Sequence, residues 1–275
     1  MTRVISDSSC DLPEEILEKI EIVPMALFIG DKEYKDGEEL SREDFYKILI
    51  ETKKPPGSAS PSPGDFMARF AKAEKIFVIT ISSALSSSYN NALIAKDYYS
   101  SEFKDRMVYV FDTLNASVGQ GLVVVKLLNL LEKNISNKKI IEKMEKYIKN
   151  LHTFFVLEKM DNLINSGRMN RILGKLAIIL NIKFILGKTN NGEIELFDKA
   201  RGSKRAFKKL LNIIGDCGSN FEDKILGIAH FNSKEKAELF KQKALEKYHF
   251  KKVIITEIGS TIATYADEGA ILISF

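Results

Sequence analysis

The chain has 275 residues, 45% of them apolar, with 41 Lys+Arg against 37 Asp+Glu and a formal net charge of +4. That length fits two modest domains or one large one, and the apolar fraction marks a globular chain with a core of its own. The near balance of charges argues against a nucleic-acid partner, which selects a concentrated basic face. The one basic cluster, Lys204, Arg205, Lys208 and Lys209, reads first as a solvated helix face. Two cysteines, Cys10 and Cys217, have neither metal spacing nor a CxxC pattern, so free thiols in a reducing cytoplasm are expected. No apolar run has the length of a membrane span, and Met-Thr-Arg-Val-Ile-Ser-Asp is too polar for a signal peptide.

Arg3–Ser6 reads as a first strand. Asp11 and Glu14 then have capping-box spacing, with Pro13 suited to the first turn of a helix. Ile22–Ile29 and Lys32–Tyr34 read as short strands around Gly30-Asp31, and Ser41 caps a helix to about Glu51. The stretch Lys53–Gly64 holds four of the six prolines. Prolines stiffen a loop and lower the entropy cost of ordering it, which suits a ligand-holding loop as well as a plain linker. A helix is expected over Asp65–Ala73, strands over Lys75–Ile79 and Met107–Phe111, and helices over Asn90–Ser100, Ala116–Leu131 and from Ser136 to about Lys149. Gly119-Gln-Gly121 lacks the third glycine and the strand-to-helix position of a dinucleotide fingerprint, so it points to close helix packing. Strands alternating with helices predict a parallel, doubly wound sheet.

A second unit is expected from about residue 151: a strand at Thr153–Leu157, helices at Met160–Ile164 and Leu173–Leu180, and a hairpin of Ile182–Leu186 with Ile194–Leu196 around Asn190-Asn-Gly192. A helix at Ser203–Ile214 follows. Lys224–Ala229, Glu235–Tyr248 and Val253–Ile258 read as strand, helix and strand, Gly259–Glu268 as a polar loop, and Ala270–Phe275 as a closing strand.

One stretch stands out chemically. Ile81-Ser-Ser-Ala-Leu-Ser-Ser-Ser-Tyr89 joins the apolar strand at Lys75–Ile79 to a helix N-terminus. A hydroxyl-rich turn there offers free N–H groups and the positive end of a helix dipole to an anion, at the strand ends where ligands collect in open α/β sheets. The same serines also serve as caps and turn formers. No GxxxxGK[ST], GxSxG or HExxH pattern is present. His152, His230 and His249 are scattered, and only His230, at the end of a strand, is placed to meet Ser86 in a hydrolase-like arrangement. No metal site is expected.

Seven short motifs in order resemble the DegV family of bacterial fatty-acid-binding proteins. Ile5-Ser-Asp-Ser-Ser-Cys-Asp-Leu12 is similar to the family's I-x-D-S-S-x-D-L, and Ser58-Ala-Ser-Pro-Ser-Pro-Gly-Asp-Phe66 to T-S-Q-P-S-P-x-x-F. Ile81–Tyr89 is similar to I-S-S-x-L-S-G-T-Y, and Asp112 with Ser117-x-Gly-x-Gly121 to D-S/T-x-x-x-S-x-G-x-G. Ser166-Gly-Arg168 and Asn181-Ile-Lys183 resemble G-G-R and N-I-K-P, and Lys199-Ala-Arg201 resembles K-x-R. The resemblance covers almost the whole chain. It implies an α/β fold of two domains: residues 1–150, a Rossmann-like parallel-sheet domain with the carboxylate-binding loops, and 151–275, a smaller α/β domain covering an acyl chain.

The function the resemblance implies is that of a carrier, not a catalyst and without a cofactor. It holds a long-chain fatty acid, presents its carboxylate to a separate fatty acid kinase, and touches a membrane at most transiently for lipid exchange. Position by position, Ser58 and Ser86 would hold the carboxylate. Ser60, Ser83 and Tyr265 are the supporting candidates, and Arg168 and Arg201 the candidates facing a partner. Neutral hydroxyls would keep the carboxylate unpaired with a buried cation and open to a phosphoryl donor. Three departures accompany the match: Ser60 stands for the family's glutamine, Phe184 for the proline after N-I-K, and Tyr265-Ala-Asp-Glu-Gly269 for H-x-G-P-G. Tyr265 can donate a hydrogen bond but cannot become cationic, which bears on kinase coupling. The rivals are a hydrolase or transferase using the same cleft, and a lipid-binding regulator without a kinase.

Overall fold

The computed structural model describes residues 2–52, 54–71, 73–169 and 181–275. Strand β1 (Thr2–Asp7) lies at the centre of a four-stranded parallel sheet. Its neighbours are β2 (Glu21–Val23) on one side and β6 (Lys75–Thr80) followed by β7 (Met107–Asp112) on the other. Burial on both faces explains the continuous apolar run of β6, in which Ile76 to Thr80 are all buried. Helices α3 (Pro63–Phe70) and α4 (Ser88–Glu102) cover one face through Phe66, Phe70, Ala92, Ala95 and Tyr99. On the other face lie α5 (Ser117–Leu131) and α6 (Asn137–Asn150), packed through Leu122, Val123, Leu127, Ile140, Met144 and Ile148.

A second sheet holds β8 (Thr153–Val156), β9 (Ile182–Lys188), β10 (Ile194–Arg201), β11 (Ile225–His230), β12 (Lys252–Glu257) and β13 (Ile271–Ser274), in the order β10-β9-β8-β13-β11-β12. Strands β11 and β12 are parallel, with α9 (Lys234–Leu245) between them in sequence, as the strand–helix–strand reading expects. The last strand, β13, inserts antiparallel between β8 and β11 and makes the sheet mixed. Helix α8 (Ser203–Cys217) packs on this sheet through Leu210, Leu211, Ile213 and Ile214. A third, small sheet is β4-β3-β5, made of β4 (Lys32–Lys35), β3 (Ala26–Ile29) and β5 (Gly57–Ala59).

Helix α5 contacts β6 of the first sheet and β11 and β13 of the second, which accounts for its apolar surface on all sides. Its glycines are close-packing positions as the sequence suggests: a Cβ on Gly121 would sit 2.6 Å from the Asp11 carbonyl oxygen. Apolar packing also crosses from the small sheet to the second sheet. Leu27, Ile29 and Phe45 share one cluster with Leu157, Leu163, Leu186 and Leu272.

Several boundaries move for physical reasons. The expected strand Ile22–Ile29 divides at Pro24, after which the Met25 N–H donates to Ser8 Oγ at 3.0 Å instead of to a ladder. The proline-rich stretch contains β5, whose Leu27↔Ser58 register comes from pairing with β3. Helix α3 starts at Pro63, before Asp65, because Ser62 and Asp65 form a capping box. Asp11 does not cap the first helix, α1 (Glu14–Leu17), whose N-cap position is Pro13 with no side-chain cap. It is buried and accepts from the Ser117 hydroxyl and from Gly259 N at 2.8 Å. The Gly259–Glu268 segment is not a solvated loop: it holds the one-turn helix α10 (Ser260–Ala263), and Ser260, Thr261, Ala263, Thr264 and Ala266 are buried. The helix expected at Leu173–Leu180 lies outside the described residues. Helices α2 (Arg42–Glu51) and α6 begin at their expected caps, Ser41 and Ser136. Between β8 and β9 lies α7 (Asp161–Asn165).

Candidate functional site

The carboxyl ends of β1 and β6 face β8, β9 and β13 of the second sheet across a cavity. It encloses about 960 Å³ of space between atoms, counting open solvent at its mouth. Its walls are mainly hydrocarbon: Met25, Ile81, Leu85 and Leu114 from one half, and Phe155, Leu157, Leu163, Ile194, Ile262 and Leu272 from the other.

Polar groups on this wall include Ser58, Ser60, Ser86, Tyr265 and Arg168, so the structure brings together five of the seven residues singled out from sequence. Ser58 stands on β5, and its Oγ lies 2.7 Å from the Tyr265 hydroxyl, which follows α10. Either oxygen can donate, so this pair holds two protons and uses one between its members. Arg168 lies 4.5 Å from the Tyr265 ring centroid, and its Nε donates to the Leu85 carbonyl at 3.2 Å. Ser86 Oγ accepts from Ser88 N at 3.2 Å. Ser60 Oγ accepts from Asn91 Nδ2 at 3.1 Å, and the same amide donates to the Pro61 carbonyl at 2.8 Å, which pins the proline-rich loop to α4.

The other two residues lie elsewhere. Ser83 is exposed, and its N–H donates to Asp112 Oδ1 at 3.2 Å. Arg201 is exposed at the end of β10, opposite Ile182. The expectation of a site without a cation is revised, because Arg168 reaches the same wall as Ser58 and Ser86. Lys188 also lines the cavity, and burial pushes its pKa below the usual lysine value. Asn91 and Lys188 belong to no motif and were not legible beforehand: Asn91 holds Ser60 across 31 positions, and Lys188 is a lining residue on β9.

The geometry is that of a holder. Hydroxyl and guanidinium donors stand among a lining that is mainly hydrocarbon. The hydrolase arrangement is not formed: His230 is absent from the cavity wall, and its Nδ1 accepts from Ser233 N at 3.3 Å. Among the described residues there is no group of three or more His, Cys, Asp or Glu placed to hold a metal ion.

Comparison with known proteins finds relatives over the whole length of the chain. A family model described as that of the DegV family matches residues 1–275. A DegV domain-containing protein of Streptococcus gordonii is 30% identical over 99% of this chain and 98% of its own length. The crystal structure of a DegV family protein from Ruminococcus gnavus ATCC 29149, refined with vaccenic acid, superposes with a TM-score of 0.94. It is 33% identical, covering 100% of this chain and 99% of that one. The Streptococcus pneumoniae Fatty Acid Kinase (Fak) B3 protein, loaded with linoleic acid, superposes with a TM-score of 0.90 at 28% identity, covering 100% and 99%.

Proposed function

Because this chain belongs to the DegV family, we propose that it carries a long-chain fatty acid and presents the carboxylate to a partner fatty acid kinase, without itself being a catalyst. The observation that carries this reading is the cavity: Ser58, Ser86, Tyr265 and Arg168 line it together with mainly hydrocarbon side chains. Each buried methylene contributes about 0.8 kcal/mol. A chain of roughly sixteen carbons therefore gains on the order of 10 kcal/mol before ordering costs. The head-group donors add orientation, at about 1.5–3 kcal/mol for a hydrogen bond to a charged group.

In this reading Ser58 and Ser86 hold the carboxylate, Tyr265 and Ser60 support them, and Arg168 meets both the ligand and whatever approaches it. Arg201, exposed at the end of β10, belongs to the partner-facing surface. The protein works as two units, residues 1–150 supplying the carboxylate loops and 151–275 most of the acyl cover. Among the described residues no helix is long and apolar enough to cross a membrane, and the carrier meets lipid bilayers only for exchange.

Denaturing mass spectrometry of protein purified without delipidation releases a C14–C18 acid if the reading holds. Protein that neither carries such an acid nor binds one after loading refutes it. Capture of the host's fatty acid kinase, lost in Arg201→Ala without loss of lipid binding, tests the partner. Failure of wild-type protein to engage any kinase, with lipid binding intact, favours a regulator instead.

A further inference from the structure

The cavity is braced from behind by a carboxylate that does not line it. Asp7 ends β1 and has 0% exposure. Its Oδ2 accepts from Ser88 Oγ at 2.6 Å and from Ile81 N at 2.9 Å. Its Oδ1 accepts from Gln120 Nε2 at 2.8 Å and from Ser9 N at 3.2 Å. Ser9, Ile81 and, through Ser88, Ser86 are residues tied to the cavity wall. One buried carboxyl group thus joins the ends of β1 and β6 to the first turn of α4 and to α5; burial raises its pKa and the four hydrogen bonds oppose that rise. No ion pair to it is found among the described residues, so these four donors carry its solvation.

The turn after β6 holds five serines, and a carboxylate entering there could in principle meet any of them. Their hydrogen bonds sort them. Ser82 Oγ donates to the Gly192 carbonyl at 2.8 Å, and Ser88 Oγ donates to Asp7. Ser83 and Ser87 are exposed. Ser86 is left on the cavity wall, accepting the Ser88 N–H on one lone pair. A serine hydroxyl has one proton and two lone pairs, and no acceptor for the Ser86 proton is found among the described residues.

We propose that Asp7 and Ser88 are positioning residues for the ligand's carboxylate: Asp7 holds the Ser88 side chain away from the cavity, and the Ser88 N–H turns the Ser86 hydroxyl so that its proton is offered to the ligand. The inference rests on the fatty-acid reading above and deepens it. The selection is physical, since a carboxylate acceptor outcompetes a neutral one for the Ser88 hydroxyl. Without it the Ser88 hydroxyl is free to compete for the Ser86 oxygen or for the ligand.

The test uses delipidated full-length protein loaded with [1-¹³C]oleate, followed by carbon NMR across pH and by affinity measurement. Wild type is expected to give a bound carboxyl resonance whose titration midpoint lies below that of the free acid, because donors favour the charged form. Asp7→Ala, which frees the Ser88 hydroxyl to compete for the Ser86 oxygen, is expected to move that midpoint back toward the free acid and to weaken affinity about tenfold, the loss of one well-aimed hydrogen bond to a charge. Ser88→Ala added to Asp7→Ala removes the competing hydroxyl, keeps the residue 88 N–H and restores both readouts, and Asp7→Asn, which keeps one acceptor but no charge, falls between. A merely structural role for Asp7 would lower melting temperature without moving the carboxyl midpoint of the bound ligand. Asp7→Ala protein, or Asp7→Asn protein should the alanine variant not fold, with the wild-type midpoint and affinity overturns the proposal and leaves the fatty-acid reading standing. Wild-type protein with no bound carboxyl resonance overturns both.

Discussion

The two sheets bordering the cavity contribute different things. The parallel sheet brings strand ends where hydroxyl side chains cluster, Ser9 beyond β1 and Ser82 to Ser86 beyond β6. The backbone N–H groups expected to be free there are used within the protein, those of Ser9 and Ile81 by Asp7 and those of Leu85 and Ser86 by the Ser82 carbonyl. The mixed sheet brings strand and flanking side chains, with Phe155, Leu157, Ile194 and Leu272 presenting hydrocarbon. Loops at strand ends can turn hydroxyl side chains toward a charged group, whereas a strand face has its backbone bonds used and offers side-chain surface. Such a division separates orientation from affinity, so the two can be altered one at a time.

Shortening the ligand is the strongest way to break this comparison. Going from sixteen to ten carbons removes six methylenes, about 5 kcal/mol at 0.8 kcal/mol each, and affinity measured by displacement should fall by three orders of magnitude or more. A flat series would mean that the hydrocarbon wall does not hold the tail. Removing the head-group donors comes next. Ser58→Ala and Ser86→Ala should each cost about 1.5–3 kcal/mol, lowering affinity for every chain length while leaving the slope against length unchanged. A changed slope would show that the two regions are not separable.

A smaller effect concerns the seam between the regions. Asp11 is 3% exposed and joins the loop after β1 to Gly259 and to Ser117. Burial is the main cause that raises its pKa from 3.8 to about 7, with the hydrogen bonds from Ser117 and Gly259 opposing. The folded chain therefore keeps this proton where the unfolded chain has lost it. The group's contribution to stability is full below pH 3.8, declines as pH rises, and is gone above about 7. Asp11→Asn should flatten the denaturation free energy across that window, by at most about 1.4 kcal/mol per pH unit; an unchanged pH slope would show that Asp11 titrates normally. The smallest effect is expected at Ser83, which lies off the cavity wall: Ser83→Ala should alter ligand affinity by less than about 0.5 kcal/mol, and a larger change would place the head group nearer the exposed end of the turn.

Much of the parallel half was legible because its signals are local. Apolar runs of strand length, caps at Ser41 and Ser136, and the Gly119–Gly121 pair each report on their own neighbourhood. The Asn190-Asn-Gly192 turn is of the same kind, with Gly192 at φ +77° closing the loop between β9 and β10. β5 was illegible: Gly57-Ser58-Ala59 has no β-branched residue and becomes a strand only because β3 offers an edge. Asp11 was misread as a cap because the spacing to Glu14 is correct and only the approach of Gly259 and Ser117 shows where its oxygens are used. That Arg168 meets Tyr265 and Leu85 and lines the cavity is indicated by nothing near it in the chain.

The order of residues by itself determined the alternation of strands and helices, the caps, the supply of serines after β6 and, through seven motifs, the family. Those depend on interactions within a few residues, which a linear pattern records. The tertiary structure decided which hydroxyl faces the cavity and what holds it there. Ser58 meets Tyr265 across 207 positions, and Asp7 meets Ser88 across 81. Hydrogen bonds over such separations are set by the packing of whole sheets, and no local preference of either partner encodes them.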